Sequence, residues 1–229
     1  MEKINAVITG IGGYVPDYVL NNDELSRMVD TNDEWIMTRV GIKERRILTE
    51  EGLGTSYMAR KAAKQLLHKT GVDPDTIDAL IVTTSTADYQ FPSTASIVLG
   101  KLGLKNAFAF DFWAACCGFL YTLDVAASMI QSGRYKKIIV IGADKMSSVV
   151  DYTDRSTCPL FGDGAAACLW KQQPSRMSGS WIRISVPTAR GCLSSTSRPE
   201  VQCARRRRLL LTTVCTTSTR KGARCSATP

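Results

Sequence analysis

The chain reads as an α/β protein with a largely parallel sheet, and three observations carry that reading. Ala79 to Ser85 (ALIVTTS) and Lys136 to Ala143 (KKIIVIGA) contain continuous apolar runs, the mark of strands buried on both faces. Met58, Ala59, Ala62, Ala63, Leu66 and Leu67 repeat at helical spacing ahead of them. Asn106 to Phe112 (NAFAFDF) reads as a short buried strand followed directly by a second apolar helix through Leu120, Leu123, Ala126, Met129 and Ile130. Strands alternating with helices argue for helices packed on a shared sheet.

Taken in order, Ile4 to Tyr14 (INAVITGIGGY) predicts a strand with a glycine-rich exit closed by Pro16. Gly10, Gly12 and Gly13 invite a dinucleotide-binding reading, but Val15 stands where the fingerprint needs glycine and Pro16 opposes the following helix, so a tight turn is expected. Asn22 is placed as the N-cap of a short helix through Met28, and Thr31 as the cap of a second through Arg39. Trp35 and Arg39 are four apart and share a face of that helix. The pair suits an adenine and a phosphate, and equally a solvated cation resting on an indole.

The stripe from Thr55 to Thr70 predicts a helix ended by Gly71, with His68 a surface residue near its C-terminus. Asp88 to Ser93 is a loop before a helix over Thr94 to Gly103. Ala165 to Trp170 predicts a last strand. Asp151 to Thr157 reads as an exposed loop, and Phe161 to Ala167 as a tight turn in which Gly162 and Gly164 suit either phosphate or plain turn geometry.

Asp111-Phe112-Trp113-Ala114-Ala115-Cys116-Cys117-Gly118-Phe119 draws the most chemistry. A cysteine where a strand turns into a helix meets backbone N–H groups and the positive end of the helix dipole, a setting for a thiolate nucleophile and acyl transfer. The competing reading is a small core residue, because free cysteine is among the most buried types.

Composition divides the chain. Residues 1–170 carry 17 Lys+Arg and 20 Asp+Glu, a net of −3, and residues 171–229 carry 12 and 1, a net of +11, which together give +8. The 171–229 segment is a basic tail rich in Ser, Thr and Arg. None of the eight cysteines forms a CxxC pair and the single histidine, His68, has no cysteine near it, so no metal site is expected. Neither a secretory layout at Met1 nor an apolar run of membrane length is present, which predicts a cytoplasmic protein with no membrane partner.

Three blocks resemble the β-ketoacyl-acyl carrier protein synthase III family, the initiating condensing enzymes of bacterial type II fatty acid synthesis. They are Val29 to Trp35 continuing through Arg39, Gly41, Glu44 and Arg45; Asp111 with Ala114-Ala115-Cys116 and Gly118-Phe119; and Asp154-Arg155 with Phe161 to Ala165. The resemblance covers residues 1 to about 170 and implies the thiolase fold, two similar α/β halves in alternating layers, of which this is the N-terminal half.

The resemblance implies Cys116 as the acylated nucleophile, coenzyme A contacts at Thr31, Trp35, Arg39 and Arg155, and acyl-pocket roles for Phe91, which reaches across a homodimer interface, and Phe161 of the same chain. It further implies acyl-CoA and malonyl-acyl carrier protein as substrates, with no bound cofactor. In the family a histidine and an asparagine of the C-terminal half act on malonyl-acyl carrier protein, and this chain has neither residue after Asn106.

The tail admits two readings. Arg205 to Arg208 suits a nucleic acid or anionic surface. The abrupt change of composition inside a recognisable fold suits a shifted reading frame or a disordered arm, which is the preferred expectation, leaving nucleic acid an unexpected partner.

Overall fold

The computed structural model describes residues 4–174. Seven strands and five α-helices are laid down in the order β1 (Ile4–Tyr14), β2 (Val19–Asn21), α1 (Asn22–Leu25), α2 (Asp33–Arg39), β3 (Glu44–Arg46), α3 (Thr55–Thr70), β4 (Ala79–Thr83), α4 (Thr94–Leu102), β5 (Phe108–Phe112), α5 (Gly118–Gln131), β6 (Lys137–Lys145) and β7 (Asp163–Pro174). The basic tail from residue 175 onward, with Arg205 to Arg208, lies outside the described residues.

Five strands form one sheet in the order β1-β7-β6-β4-β5. The pairs β6·β4 and β4·β5 are parallel, whereas β1·β7 and β7·β6 are antiparallel. The sheet is therefore mixed rather than largely parallel. The apolar runs in β4 and β6 marked only the central parallel ladders. β1 and β7 owe their partners to tertiary closure, which their own sequences do not display.

β4 and β6 are buried along both faces because helices cover both. On one face α3 and α4 supply Ala59, Ala62, Ala63, Leu66, Ala95 and Val98 to a core with Leu80, Val82, Ile139, Ile141, Ala167 and Leu169. The alternate residues Ile81, Ile138 and Val140 point to the other face, where α5 lies. Removing this much apolar side chain from water is the main force holding the layers together, at about 25 cal/mol per Å².

The glycine-rich start corrects two expectations at once. β1 continues through Tyr14, so Gly10 and Gly12 form neither a dinucleotide loop nor a tight turn. A Cβ on Gly12 would sit 2.5 Å from the Ala62 carbonyl oxygen and 2.6 Å from Leu66 N, so these glycines let α3 press onto the strand. A register shift between Ile8 and Gly10 turns the strand locally. On the opposite side Ile11 is 68% exposed.

β2 and β3 pair antiparallel as a separate two-stranded ribbon that carries α1 and α2. Asn21, not Asn22, caps α1, and Asn32, not Thr31, caps α2 by accepting from Trp35 N at 2.8 Å. Asn22 is instead buried, donating to Asp33 Oδ1 at 2.7 Å and to the Ile42 carbonyl at 2.9 Å. Adjacent asparagines have equal capping chemistry; tertiary burial decides which one caps. His68 is exposed on the last turn of α3.

Candidate active site

The cysteine segment lies at the carboxyl ends of the parallel strands, the edge where α/β sheets present ligand sites. β5 ends at Phe112, a single 3-10 turn spans Ala115–Cys117, and α5 begins at Gly118. Ala115 holds φ +44°, a left-handed conformation that costs a non-glycine residue about 1–3 kcal/mol. Both Cys116 and Cys117 are exposed, which excludes the core reading.

Gly118 is required where it stands: a Cβ there would lie 2.1 Å from Thr83 Oγ1, so only glycine lets α5 start against the end of β4. Nothing in the apolar periodicity signalled that contact. Asp111 anchors the strand before the turn, its two carboxylate oxygens accepting from Thr94 N at 2.8 Å and Ala95 N at 2.6 Å at the head of α4.

Cys116 opens on a cleft of about 530 Å³ whose walls include Thr83, Phe119, Gly142, Asp144 and Gly164. Asp144 was not singled out in the sequence. Its Oδ1 accepts from Ser85 N at 2.7 Å and from the Thr84 and Thr86 hydroxyls, each at 3.1 Å, and so ties the exit of β4 to the end of β6.

Gly164 belongs to β7 opposite Asp144, and a Cβ on Gly162 would meet Arg45 Cβ and the Arg46 carbonyl, each at 3.1 Å. This is close strand packing in place of the expected turn. Asp163 between them is 5% exposed and accepts from Leu48 N and Ser147 N, both at 2.8 Å, and from Ser147 Oγ at 2.6 Å.

A second cluster gathers three of the four residues expected to contact coenzyme A. The Trp35 ring receives the Arg39 guanidinium carbon at 5.6 Å and that of Arg155 at 5.4 Å from its centroid. Arg155 also donates to the Asp30 carbonyl at 3.3 Å and pairs with the Asp30 carboxylate at 3.6 Å. Thr31 follows in the same turn, with its hydroxyl oxygen buried and lacking a hydrogen-bond partner.

Arg155 rides on a loop stiffened by side chain-to-backbone turns. Asp151 Oδ1 accepts from Thr153 N at 2.8 Å, and Asp154 Oδ1 accepts from Ser156 N at 2.9 Å. These bonds, with those from the neighbouring hydroxyls, hold both carboxyls below the usual aspartate value.

The expected pocket aromatics are not in the cleft wall. Phe91 stands 85% exposed on the loop between β4 and α4, and Phe161 is 38% exposed beside Gly162, which does line the cleft. Burial pushes Cys168 up to about 12 and raises Cys158, which removes both from nucleophilic duty. Among the described residues, no group of three or more His, Cys, Asp and Glu side chains suits a metal ion, and no helix is long and apolar enough to cross a membrane.

A family model described as 3-oxoacyl-[acyl-carrier-protein (ACP)] synthase III matches residues 110–188. The chain is 78% identical over 169 residues to a β-ketoacyl-[acyl-carrier-protein] synthase III of Phocaeicola vulgatus, a span that covers 74% of this chain and 51% of that one. It is 76% identical over 167 residues to synthase III 2 of Bacteroides thetaiotaomicron, covering 73% and 50%. The chain thus spans about half the length of the curated relatives it matches.

Among solved structures, 3-oxoacyl-[acyl-carrier-protein] synthase III of Aquifex aeolicus superposes with a TM-score of 0.71 at 50% identity, covering 73% of this chain and 54% of that one. The priming β-ketosynthase of the R1128 polyketide pathway gives 0.72 at 36% identity, covering 77% and 52%.

A mixed sheet with helices on both faces and a cysteine turn at its carboxyl edge is thiolase-type architecture. Within that class, residues up to about 174 are similar to the β-ketoacyl-acyl carrier protein synthase III family over about half of its members' length. The family match runs to residue 188 and β7 to Pro174, so the resemblance continues past the compositional boundary at residue 170.

Proposed function

We propose that this is an acyltransferase sequence of type II fatty acid synthesis whose present residues supply the acylation step. Cys116 Sγ attacks the thioester carbonyl of an acyl-CoA, and the backbone N–H of the cysteine turn helps hold the developing oxyanion. The bond from carbon to the coenzyme A sulfur breaks, and the proton given up by Cys116 leaves on the coenzyme A thiol. Trp35 stacks the adenine, Arg39 and Arg155 meet the phosphates, and Thr31 supplies a further polar contact once its buried hydroxyl turns toward the ligand. No resident cofactor takes part.

The observation that carries this reading is an exposed Cys116, on a positive-φ turn, opening into the cleft at the strand ends. Decarboxylative condensation with malonyl-acyl carrier protein is the family role, but the histidine and asparagine that it uses have no counterpart after Asn106. We read the present residues as carrying the acylation half of that role, acting as a cytoplasmic homodimer with Phe91 at the subunit boundary. The basic segment is read as a change of reading frame, which sequencing of the encoding DNA tests directly.

Incubation with acetyl-CoA followed by intact-mass measurement is expected to add one acetyl group, lost in Cys116→Ser and kept in Cys117→Ser. An unmodified wild-type chain overturns the proposal. Sedimentation velocity tests the dimer.

A further inference from the structure

Arg45 is 4% exposed, yet no carboxylate pairs with it: among the described residues the ion pairs are Arg46 with Glu44 and Arg155 with Asp30. Burying a guanidinium without an anion is costly, so its retention calls for a reason other than charge pairing. Its donors end on neutral oxygens from separate segments. Nε and Nη2 donate to the Pro159 carbonyl at 3.1 and 2.9 Å, and Nη1 donates to Asn22 Oδ1 at 2.9 Å and to the Leu20 carbonyl at 3.4 Å.

Asn22 in turn donates to Asp33 Oδ1 at 2.7 Å. A chain of bonds therefore runs from Pro159 through the buried Arg45 and Asn22 to Asp33 at the surface. Pro159 follows the stiffened loop that carries Arg155, and Asp33 opens the helix that carries Trp35 and Arg39. At the surface, by contrast, Arg155 rests on the Trp35 ring and its charge partner is Asp30, with side chains 53% and 102% exposed, a pair that solvent screens.

We propose that Arg45 is a positioning residue for the coenzyme A site: its buried fork sets the loop bearing Arg155 against the helix bearing Trp35 and Arg39. This rests on the reading of that cluster as the coenzyme A site. The planar guanidinium reaches Pro159, Leu20 and Asn22 together, which the single ammonium of lysine does not reproduce.

The test is a double-mutant cycle on the full chain, read by calorimetric titration with coenzyme A. Arg45→Met and Arg155→Met are each expected to weaken binding on the order of tenfold, and the double variant to bind no more weakly than Arg155→Met alone, because Arg45 acts through Arg155. Arg45→Lys is expected to restore little.

Multiplying effects, or Arg45→Met binding like the wild type, overturns the assignment. If Arg45→Met fails to melt cooperatively, Asn22→Ala, which cuts the same chain on its other side, takes its place in the cycle with the same two outcomes. A wild-type chain that binds no coenzyme A overturns the site reading itself and takes this inference with it.

Discussion

Arg155 and Trp35, far apart in sequence, meet with the guanidinium carbon 5.4 Å from the indole centroid, and Arg39 reaches the same ring at 5.6 Å. Two like charges on one ring repel each other unless an anion joins them, and Asp30 engages Arg155 alone. The arrangement favours a ligand that combines an aromatic face with phosphates. Trp35→Ala is expected to cost about 1–3 kcal/mol of coenzyme A binding, the range for base–aromatic stacking. Calorimetric titration reads it, and unchanged affinity removes Trp35 from the site.

Thiol accessibility separates the cysteines. At neutral pH iodoacetamide is expected to label Cys116 and Cys117 while sparing Cys158 and Cys168, which are buried and whose thiols are raised. Peptide mass mapping with and without denaturant checks this; rapid native labelling of Cys168 contradicts the packing of β7.

Gly12→Ala places a methyl group 2.5 Å from the Ala62 carbonyl oxygen, which α3 cannot relieve without moving its backbone. A loss of about 1–3 kcal/mol is expected, the usual range for overpacking. Denaturant titration measures it, and a neutral result would mean that α3 does not rest on β1.

Asp163→Ala strips acceptors from Leu48 N and from Ser147 N and Oγ around a residue that is 5% exposed. Leaving a buried donor unpaired costs about 1–3 kcal/mol, so this variant is expected to melt earlier than Asp163→Asn. Equal melting of the two rules out the hydrogen bonds as the cause.

The loop carrying Arg155 is expected to loosen in acid. Hydrogen bonds hold the Asp151 and Asp154 carboxyls below the ordinary aspartate value of 3.8. A depressed folded value means that the ionised form stabilises the fold: the contribution is complete above 3.8 and is lost as pH falls through the lower folded values. Protection of the Thr153 and Ser156 amides, relative to intrinsic exchange at each pH, is expected to fall over that window and to stay constant in Asp151→Asn and Asp154→Asn. Unchanged protection in the native chain refutes the idea.

Much of the architecture was legible locally. The helix over Thr55–Thr70 follows from its stripe and from Gly71, and β4 and β6 from their apolar runs, because period and burial are written in adjacent residues. The short ribbon of β2 and β3 was not, since three-residue strands have no period to read and depend on their partner. β7 runs through Pro174, beyond the expected Trp170, because Lys171 to Pro174 pair with Ile4 to Val7.

By itself the sequence determined which residue types stand at the cysteine turn and around Trp35, and that alternating strands and helices build the core. Only the tertiary structure decided that Gly12 is a contact surface, that Cys116 faces outward, and that Arg45 joins the ribbon to the loop of Arg155. Periodicity reports the solvent that each residue meets along one element. Contacts between elements depend on how those elements close in space, and no single stretch of chain encodes that.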